Sequence, residues 1–192
     1  HQQENLACAV EVAKLFKISS FKISQVIKNF KGLEGRLQYL KTIKGIKIYN
    51  DNNATTPEAT IAGIEALSFS QVELRGFSPK FNFREKRQKK IILICGGADK
   101  KLPLDNFMKV VNKYCKAVVL MPGSGTQKII TDSELRIKNE VLKDLKTAVK
   151  TALGLASRGD IILFSPAFAS FGMFNNEYDR GDQFLEIIKK LK

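Results

Sequence analysis

The carboxyl-terminal quarter of the sequence carries the residues best suited to hold a small anion. An apolar run, Ile161 to Phe164, leads into SPAFASF, residues 165–171, and a charged stretch follows. A buried strand, then small hydroxyl residues, then a charged helix start is how α/β domains present a carboxylate or phosphate site at the carboxyl end of a strand. This segment is the most specific binding signal in the chain.

Polar residues follow other predicted strands as well. Asp51 ends the run KIYND, where a carboxylate accepts ribose hydroxyls or holds Mg²⁺ through water, and Thr55 offers a hydroxyl beside a predicted helix start. Helix capping is the alternative explanation for this pair. Gly96-Gly97 precedes Lys100, whose ammonium group suits a carboxylate or a phosphate. The glycines of residues 122–125 are typical of a simple turn.

Alternating strands and helices are expected to bring these loops together. The sequence predicts two opening helices, a hairpin with a Lys44-Gly45 turn, and a helix from Pro57 to about Leu67. Strands are predicted over 91–95, 117–121 and 161–164, with helices over 103–114 and 139–155 and at the carboxyl terminus. Right-handed crossovers between such elements give a mainly parallel sheet flanked by helices, with its binding loops at one edge.

Composition limits the function classes. The 192 residues are 44% apolar, and they contain neither an apolar run of about 18 to 20 residues nor a signal-peptide layout at the start, so we expect a cytoplasmic protein without a membrane span. The net charge of +13 attracts anions of any kind. The lysines are scattered, except for a cluster over 80–90, so nucleic acid is not the expected partner. Phe81 and Phe83, which lie beside the charges of that cluster, keep it as an alternative.

Two further motif classes are missing from the sequence. It has no GxxxxGK[ST] loop and no paired His or Cys ligand set, so this chain alone is not expected to cradle a triphosphate in the usual way or to bind a metal ion.

Several motifs together resemble the carboxyl-terminal part of the Mur ligases. In that family's order, they are His1 with Asn5, Gly32-Leu33 with Arg36, Asn50-Asp51 with Ala54-Thr55, Gly96-Gly97 with Lys100, and SPAxAS followed by Phe174 and Arg180-Gly181. The resemblance spans essentially the whole chain. The Ala54-Thr55 pair after Asn50-Asp51 resembles the motif in the branch of the family that adds D-glutamate.

The resemblance implies a Rossmann-like carboxyl-terminal domain over residues 32–192, preceded in 1–31 by the helical tail of a central ATP-binding domain. It implies an ATP-dependent ligase of peptidoglycan precursor synthesis, acting on UDP-N-acetylmuramoyl-L-alanine and D-glutamate through an acyl phosphate. The rest of the same polypeptide would carry the phosphate loop and most ligands of Mg²⁺. Residues 1–192 are therefore expected to fold but not to turn over ATP.

The resemblance also implies two sets of site residues. The set expected to bind the nucleotide is Asn5, Arg36 and Asp51. The set expected to bind D-glutamate is Thr55, Lys100, Ser170 and Phe171, with Lys100 also catalytic.

The chain departs from the family pattern at a few positions. Gly35 stands where His is usual and Asn53 where Lys is common, Gly172 replaces a frequent Asp, and an expected aromatic is displaced, with Glu177 before Tyr178. The basic connection over 68–90 is also longer than expected. These departures leave the accepted amino acid open, so another ligase of the same superfamily, such as a folylpolyglutamate-type enzyme, is the second hypothesis.

Overall fold

A computed structural model of the protein describes residues 2–69, 89–131 and 135–191. The chain forms two compact units, one ending at Leu33 and the other beginning at Glu34. No helix within the described ranges is long and apolar enough to cross a membrane. The basic cluster over 80–90 lies outside these ranges except for its last two residues.

The amino-terminal unit consists of two helices, α1 (Gln2–Leu15) and α2 (Ser20–Asn29), which confirms the two predicted helices. Ser19 caps α2, because its hydroxyl accepts a hydrogen bond of 3.4 Å from the backbone N–H of Lys22. No residue of α2 is buried within this unit. The assignment of these helices to a central ATP-binding domain stays a prediction.

The described residues of the second unit form a mostly parallel six-stranded sheet flanked by five helices. Its strands are β1 (Gln38–Ile43), β2 (Ile46–Asn50), β3 (Ile91–Gly96), β4 (Cys115–Met121), β5 (Lys138–Val141) and β6 (Ile161–Phe164). Its helices are α3 (Pro57–Phe69), α4 (Asp105–Tyr114), α5 (Ser124–Thr131), α6 (Leu145–Leu155) and α7 (Glu177–Lys190). The strand order is β1-β2-β6-β3-β4-β5, and only the β1–β2 hairpin is antiparallel. The predicted fold class is confirmed.

The core lies on both faces of this sheet. Alternate side chains of β3 point to opposite faces, so Leu93 packs in the layer that contains α4, whereas Ile92 and Ile94 pack in the layer that contains α6 and α7. All residues of β3 and β6 are buried. Burial on both faces explains why these strands read as continuous apolar runs in the sequence.

Two predicted segments differ from the structure. The helix predicted over 139–155 begins only at Leu145, where Asp144 caps it by accepting a hydrogen bond of 2.8 Å from the N–H of Thr147. Strand β5 precedes that helix, and all four of its residues are exposed, so it carries no apolar pattern that could have revealed it. The turn expected over 122–125 is also partly wrong, because α5 begins inside it at Ser124.

Candidate functional site

Four loops meet at the carboxyl edge of the sheet, as the alternation of strands and helices predicted. The loops are the β2 loop (51–56), the β6 loop (165–171), the β3 loop (96–101) and the β4 loop (122–126). They follow strands that are parallel neighbours in the order β2-β6-β3-β4, so each loop adjoins the next.

Backbone hydrogen bonds join each of these loops to its neighbour. The N–H of Ala167 donates to the carbonyl of Ala54 at 2.9 Å, which joins the β6 and β2 loops. Ala98 and Ala169 exchange two bonds of 3.0 and 3.1 Å, which join the β3 and β6 loops. The N–H of Gly125 donates to the carbonyl of Gly97 at 2.9 Å. The site is therefore one connected set of loops rather than four independent turns.

Glycines allow the β3, β4 and β6 loops to approach this closely. A Cβ on Gly97 would lie 2.2 Å from the carbonyl oxygen of Ala169, and a Cβ on Gly123 would lie 2.1 Å from the carbonyl oxygen of Gly97. Both glycines also have positive φ, at 144° and 154°. Any larger residue would push these loops apart, so the β4 glycines pack against the site and do more than form a turn.

Lys100 reaches from the β3 loop to Thr55 in the β2 loop. Its Nζ donates to the Thr55 Oγ1 at 3.0 Å, and the lysine is exposed whereas the threonine is half-buried. Asp99 shapes the loop beneath, because its Oδ1 accepts from the N–H of Lys101 at 2.9 Å and its own N–H donates to the Ser124 Oγ at 2.9 Å. An ammonium group and a hydroxyl at this rim suit a ligand carboxylate.

Asp51 lies deeper, with only 6% of its surface exposed. Its Oδ1 accepts a hydrogen bond of 2.9 Å from the N–H of Leu37, and its Oδ2 accepts one of 2.8 Å from the Ser165 hydroxyl. Burial raises the pKa of the Asp51 carboxyl to about 6, although the Ser165 hydroxyl, the Leu37 N–H and the Arg36 charge all oppose the rise. Asp51 therefore holds the β6 loop and the segment before β1 together.

The remaining predicted site residues differ in their surroundings. Arg36 is exposed and lies near enough to Asp51 to influence its pKa. Ser170 is buried in the β6 loop at 5% exposure, and the next residue, Phe171, is 67% exposed. Asn5 is exposed on α1, in the amino-terminal unit.

Sequence reasoning missed the role of Asn52 and noted Arg180 only as part of a motif. Arg180 is fully buried, and its Nε and Nη2 donate to the side chain and the carbonyl of Asn52 at 2.7 and 2.9 Å. Its Nη1 donates to the Phe168 carbonyl at 3.2 Å. Burial lowers the pKa of Arg180 to about 10, and the Glu177 charge opposes that shift. The spacing of Arg180 with Phe184 and Ile188 on α7 did signal a position facing the core.

The described residues contain no group of three His, Cys, Asp or Glu side chains that could hold a metal ion. The Mg²⁺ ligands that the resemblance implies stay a prediction for the rest of the polypeptide.

Comparison with known proteins finds relatives that match nearly the whole of this chain. No family model matches it. It is 38% identical over 181 residues to a UDP-N-acetylmuramoylalanine–D-glutamate ligase of Borreliella afzelii, covering 94% of this chain and 36% of the relative. The ligase of the same name in a Roseiflexus species is 35% identical, covering 98% of this chain and 37% of the relative. The matches lie in the carboxyl-terminal part of the relatives. This chain is homologous to the carboxyl-terminal part of Mur ligases.

The likeness to the Mur ligases extends to solved structures. UDP-N-acetylmuramate-alanine ligase MurC of Thermotoga maritima superposes with a TM-score of 0.68 at 15% identity, over 100% of this chain and 38% of that one. Folylpolyglutamate synthase of the same organism gives a TM-score of 0.59 at 16% identity, over 100% of this chain and 39% of that one. At these identities the structures show the shared fold alone. This Mur ligase homologue spans a little over a third of the length of the curated relatives it matches.

Proposed function

We propose that this chain is the acceptor-binding part of an ATP-dependent ligase that joins D-glutamate to UDP-N-acetylmuramoyl-L-alanine in peptidoglycan precursor synthesis. The observation that carries the proposal is the 3.0 Å contact between Lys100 and Thr55 at the carboxyl edge of the sheet. It supplies a cation and a hydroxyl where a homologue of D-glutamate ligases would bind an amino-acid carboxylate.

The proposed reaction proceeds through an acyl phosphate. ATP phosphorylates the carboxylate of UDP-N-acetylmuramoyl-L-alanine, so that phosphate becomes the leaving group. The amine of D-glutamate then attacks the carbonyl carbon. A C–N bond forms, the C–O bond to phosphate breaks with its electron pair, and the amine gives up a proton. Lys100 would bind a carboxylate of D-glutamate and offset charge near the reacting carbonyl, while Thr55, Ser170 and Phe171 would line the acceptor site.

ATP would lie close to Arg36 and Asp51. The notion that Asn5, in the amino-terminal unit, contacts a nucleotide stays a prediction from the family resemblance. Each oxygen of Asp51 has a second lone pair in addition to the one used inside the protein, which suits a ribose hydroxyl. The phosphate loop and the Mg²⁺ ligands would belong to the rest of the polypeptide. Use of ATP and a uridine nucleotide would place the reaction in the cytoplasm.

A second candidate is a related ligase that accepts another amino acid, such as a folylpolyglutamate-type enzyme. The fold shared with folylpolyglutamate synthase supports it. So do the changes at Gly35, Asn53 and Gly172, which lie in or beside the loops of the site.

The test is ATP-dependent phosphate release by a full-length protein that carries this chain. UDP-N-acetylmuramoyl-L-alanine is supplied with D-glutamate, L-glutamate or meso-diaminopimelate, one at a time. Release with D-glutamate alone is expected. Release with a different acceptor would support the second candidate, and release with none would refute the proposed function.

The isolated 192 residues provide a companion test. The chain is expected to fold, and far-ultraviolet circular dichroism should show a cooperative thermal transition. It is expected to catalyse no ATP-dependent ligation, because the phosphate loop is not in this sequence. Ligation by the isolated chain would contradict the proposed division of labour.

A further inference from the structure

Asn52 uses all of its polar groups inside the site. It is 3% exposed. Its side-chain and main-chain oxygens accept hydrogen bonds of 2.7 and 2.9 Å from Arg180, and its Nδ2 donates to the Glu177 carbonyl at 2.7 Å. Its backbone N–H donates to the Asn50 Oδ1 at 3.1 Å. The side chain is thus fixed between the β2 loop and the start of α7.

The segment that carries Arg36 is held by the next residue, Asn53. The Nδ2 of Asn52 lies 3.4 Å from the Oδ1 of Asn53. The backbone N–H and Nδ2 of Asn53 donate to the carbonyls of Gly35 and Glu34 at 3.0 and 3.2 Å. A Cβ on Gly35 would lie 2.9 Å from the Asn53 Nδ2, so glycine allows the amide to lie directly against the backbone.

Arg180 extends the link to the β6 loop. Its Nη1 donates to the carbonyl of Phe168, two residues before Ser170, while its other bonds hold Asn52, three residues before Thr55. Gly181 lets α7 approach, because a Cβ there would lie 2.9 Å from the Asn52 Nδ2. Asn52 and Arg180 therefore add a buried side-chain link between the two loops, beside the Ala167–Ala54 and Ser165–Asp51 bonds.

We infer that Asn52 is a positioning residue that sets the spacing of Thr55 and Ser170 for the amino-acid acceptor. The inference rests on the proposed function. Both polar atoms of the Asn52 side chain are bonded within the protein, so its effect acts through Arg180 and the loops on either side. Loss of the Asn52 side chain should therefore weaken the binding of D-glutamate more than the binding of ATP.

The kinetic test uses the full-length protein with Asn52→Ala, Asn52→Asp and, as a control, Asp144→Ala. Asp144 caps α6, so its loss lowers stability without touching these loops. Asn52→Ala is expected to raise KM for D-glutamate by about 10- to 100-fold while KM for ATP changes less than about threefold. Asn52→Asp, which keeps an acceptor for Arg180, should fall between the wild type and Asn52→Ala.

Two results would overturn the inference. One is an unchanged KM for D-glutamate in Asn52→Ala. The other is a loss that Asp144→Ala reproduces, since that would reflect stability alone. If the unaltered protein ligates no acceptor, the proposed function fails and the inference fails with it, whereas wild-type ligation with an unaffected Asn52→Ala overturns the inference only.

A spectroscopic test on the 192-residue chain examines the contact itself. In ¹H–¹⁵N spectra the Nε–H of Arg180 should exchange slowly with solvent, because it is buried and bonded to Asn52. In Asn52→Ala this signal should shift and exchange at least about tenfold faster. A signal that exchanges at the same rate in both proteins would overturn the positioning role.

Discussion

The interior and the rim of the site differ in how their hydrogen bonds are used. In the interior, Asp51, Asn52, Ser165 and Arg180 are at most 6% exposed, and they bond to one another or to nearby backbone. At the rim, Lys100 is exposed and Phe171 is 67% exposed. Buried groups whose partners lie within the protein fix the loops, whereas exposed groups keep capacity for a ligand. Interior substitutions should therefore reduce stability and affect binding only through the position of the loops, whereas rim substitutions should reduce ligand binding directly.

The largest effect is expected for Arg180→Ala. The change removes three hydrogen bonds and leaves a cavity beside buried oxygens of Asn52 and Phe168, so the free energy of unfolding should fall by about 3 to 5 kcal/mol. Urea denaturation of the 192-residue chain measures it. Arg136→Ala, at an exposed arginine, is the matched control and should change stability by less than about 0.5 kcal/mol. Equal stability losses in the two variants would contradict the assignment of Arg180 to the interior.

The next effect is a pH dependence that arises from Asp51. Its pKa is about 6 in the folded chain and about 3.9 when unfolded, so the folded state binds more protons between these values. The free energy of unfolding should therefore fall by about 3 kcal/mol from this group as pH rises from about 4 to about 7, and then level off.

Asp51→Asn removes that titration and serves as the control for it. The unfolding free energies of the wild type and the variant are measured by urea denaturation at several pH values. As pH rises, the wild type should lose stability relative to the variant. A difference that stays constant from pH 4 to pH 7 would show that the Asp51 carboxyl is not the titrating group.

At the rim, Lys100→Ala should reduce kcat/KM for D-glutamate by about 100-fold in the full-length protein, because a charge-assisted contact with a carboxylate is lost. The unfolding free energy of the 192-residue chain should change by less than about 0.5 kcal/mol, since the lysine is exposed. Lys109→Ala, at an exposed position on α4, is the control. A stability loss as large as that of Arg180→Ala would place Lys100 in the interior instead.

The smallest effect is expected for Thr55→Val, which keeps the shape of the side chain but removes its hydroxyl. KM for D-glutamate should rise by about three- to tenfold, because the hydroxyl that accepts a hydrogen bond from Lys100 is lost. Thr55→Ser should restore most of the affinity because it restores the hydroxyl. An equal rise in both variants would show that packing, and not the hydroxyl, determines binding.

Sequence reasoning predicted the sheet and the meeting of its loops because the buried strands are long apolar runs with glycine or hydroxyl residues after them. It missed β5 because that strand is exposed on every residue, and it missed α5 because a proline and two glycines lie at its start. Apolar patterns report burial, so an exposed edge strand leaves no such pattern.

The rim of the site was easier to predict from the sequence than its interior. Lys100 and Thr55 each follow a predicted strand, so parallel pairing alone placed them at one edge. Asn52 is a loop residue without periodicity, and its partner Arg180 lies 128 residues away in the chain. A hydrogen bond over that separation depends on the packing of α7, which local sequence does not specify.

The most direct test of the account is a competition among acceptors. The full-length protein receives ATP, UDP-N-acetylmuramoyl-L-alanine and an equimolar mixture of deuterated D-glutamate, ordinary L-glutamate and meso-diaminopimelate. The mass of the UDP-linked product is then measured by mass spectrometry. The proposed function predicts a product that carries the deuterated residue almost exclusively, and Lys100→Ala should reduce its yield. A product with ordinary glutamate or diaminopimelate would show that D-glutamate is not the preferred amino acid.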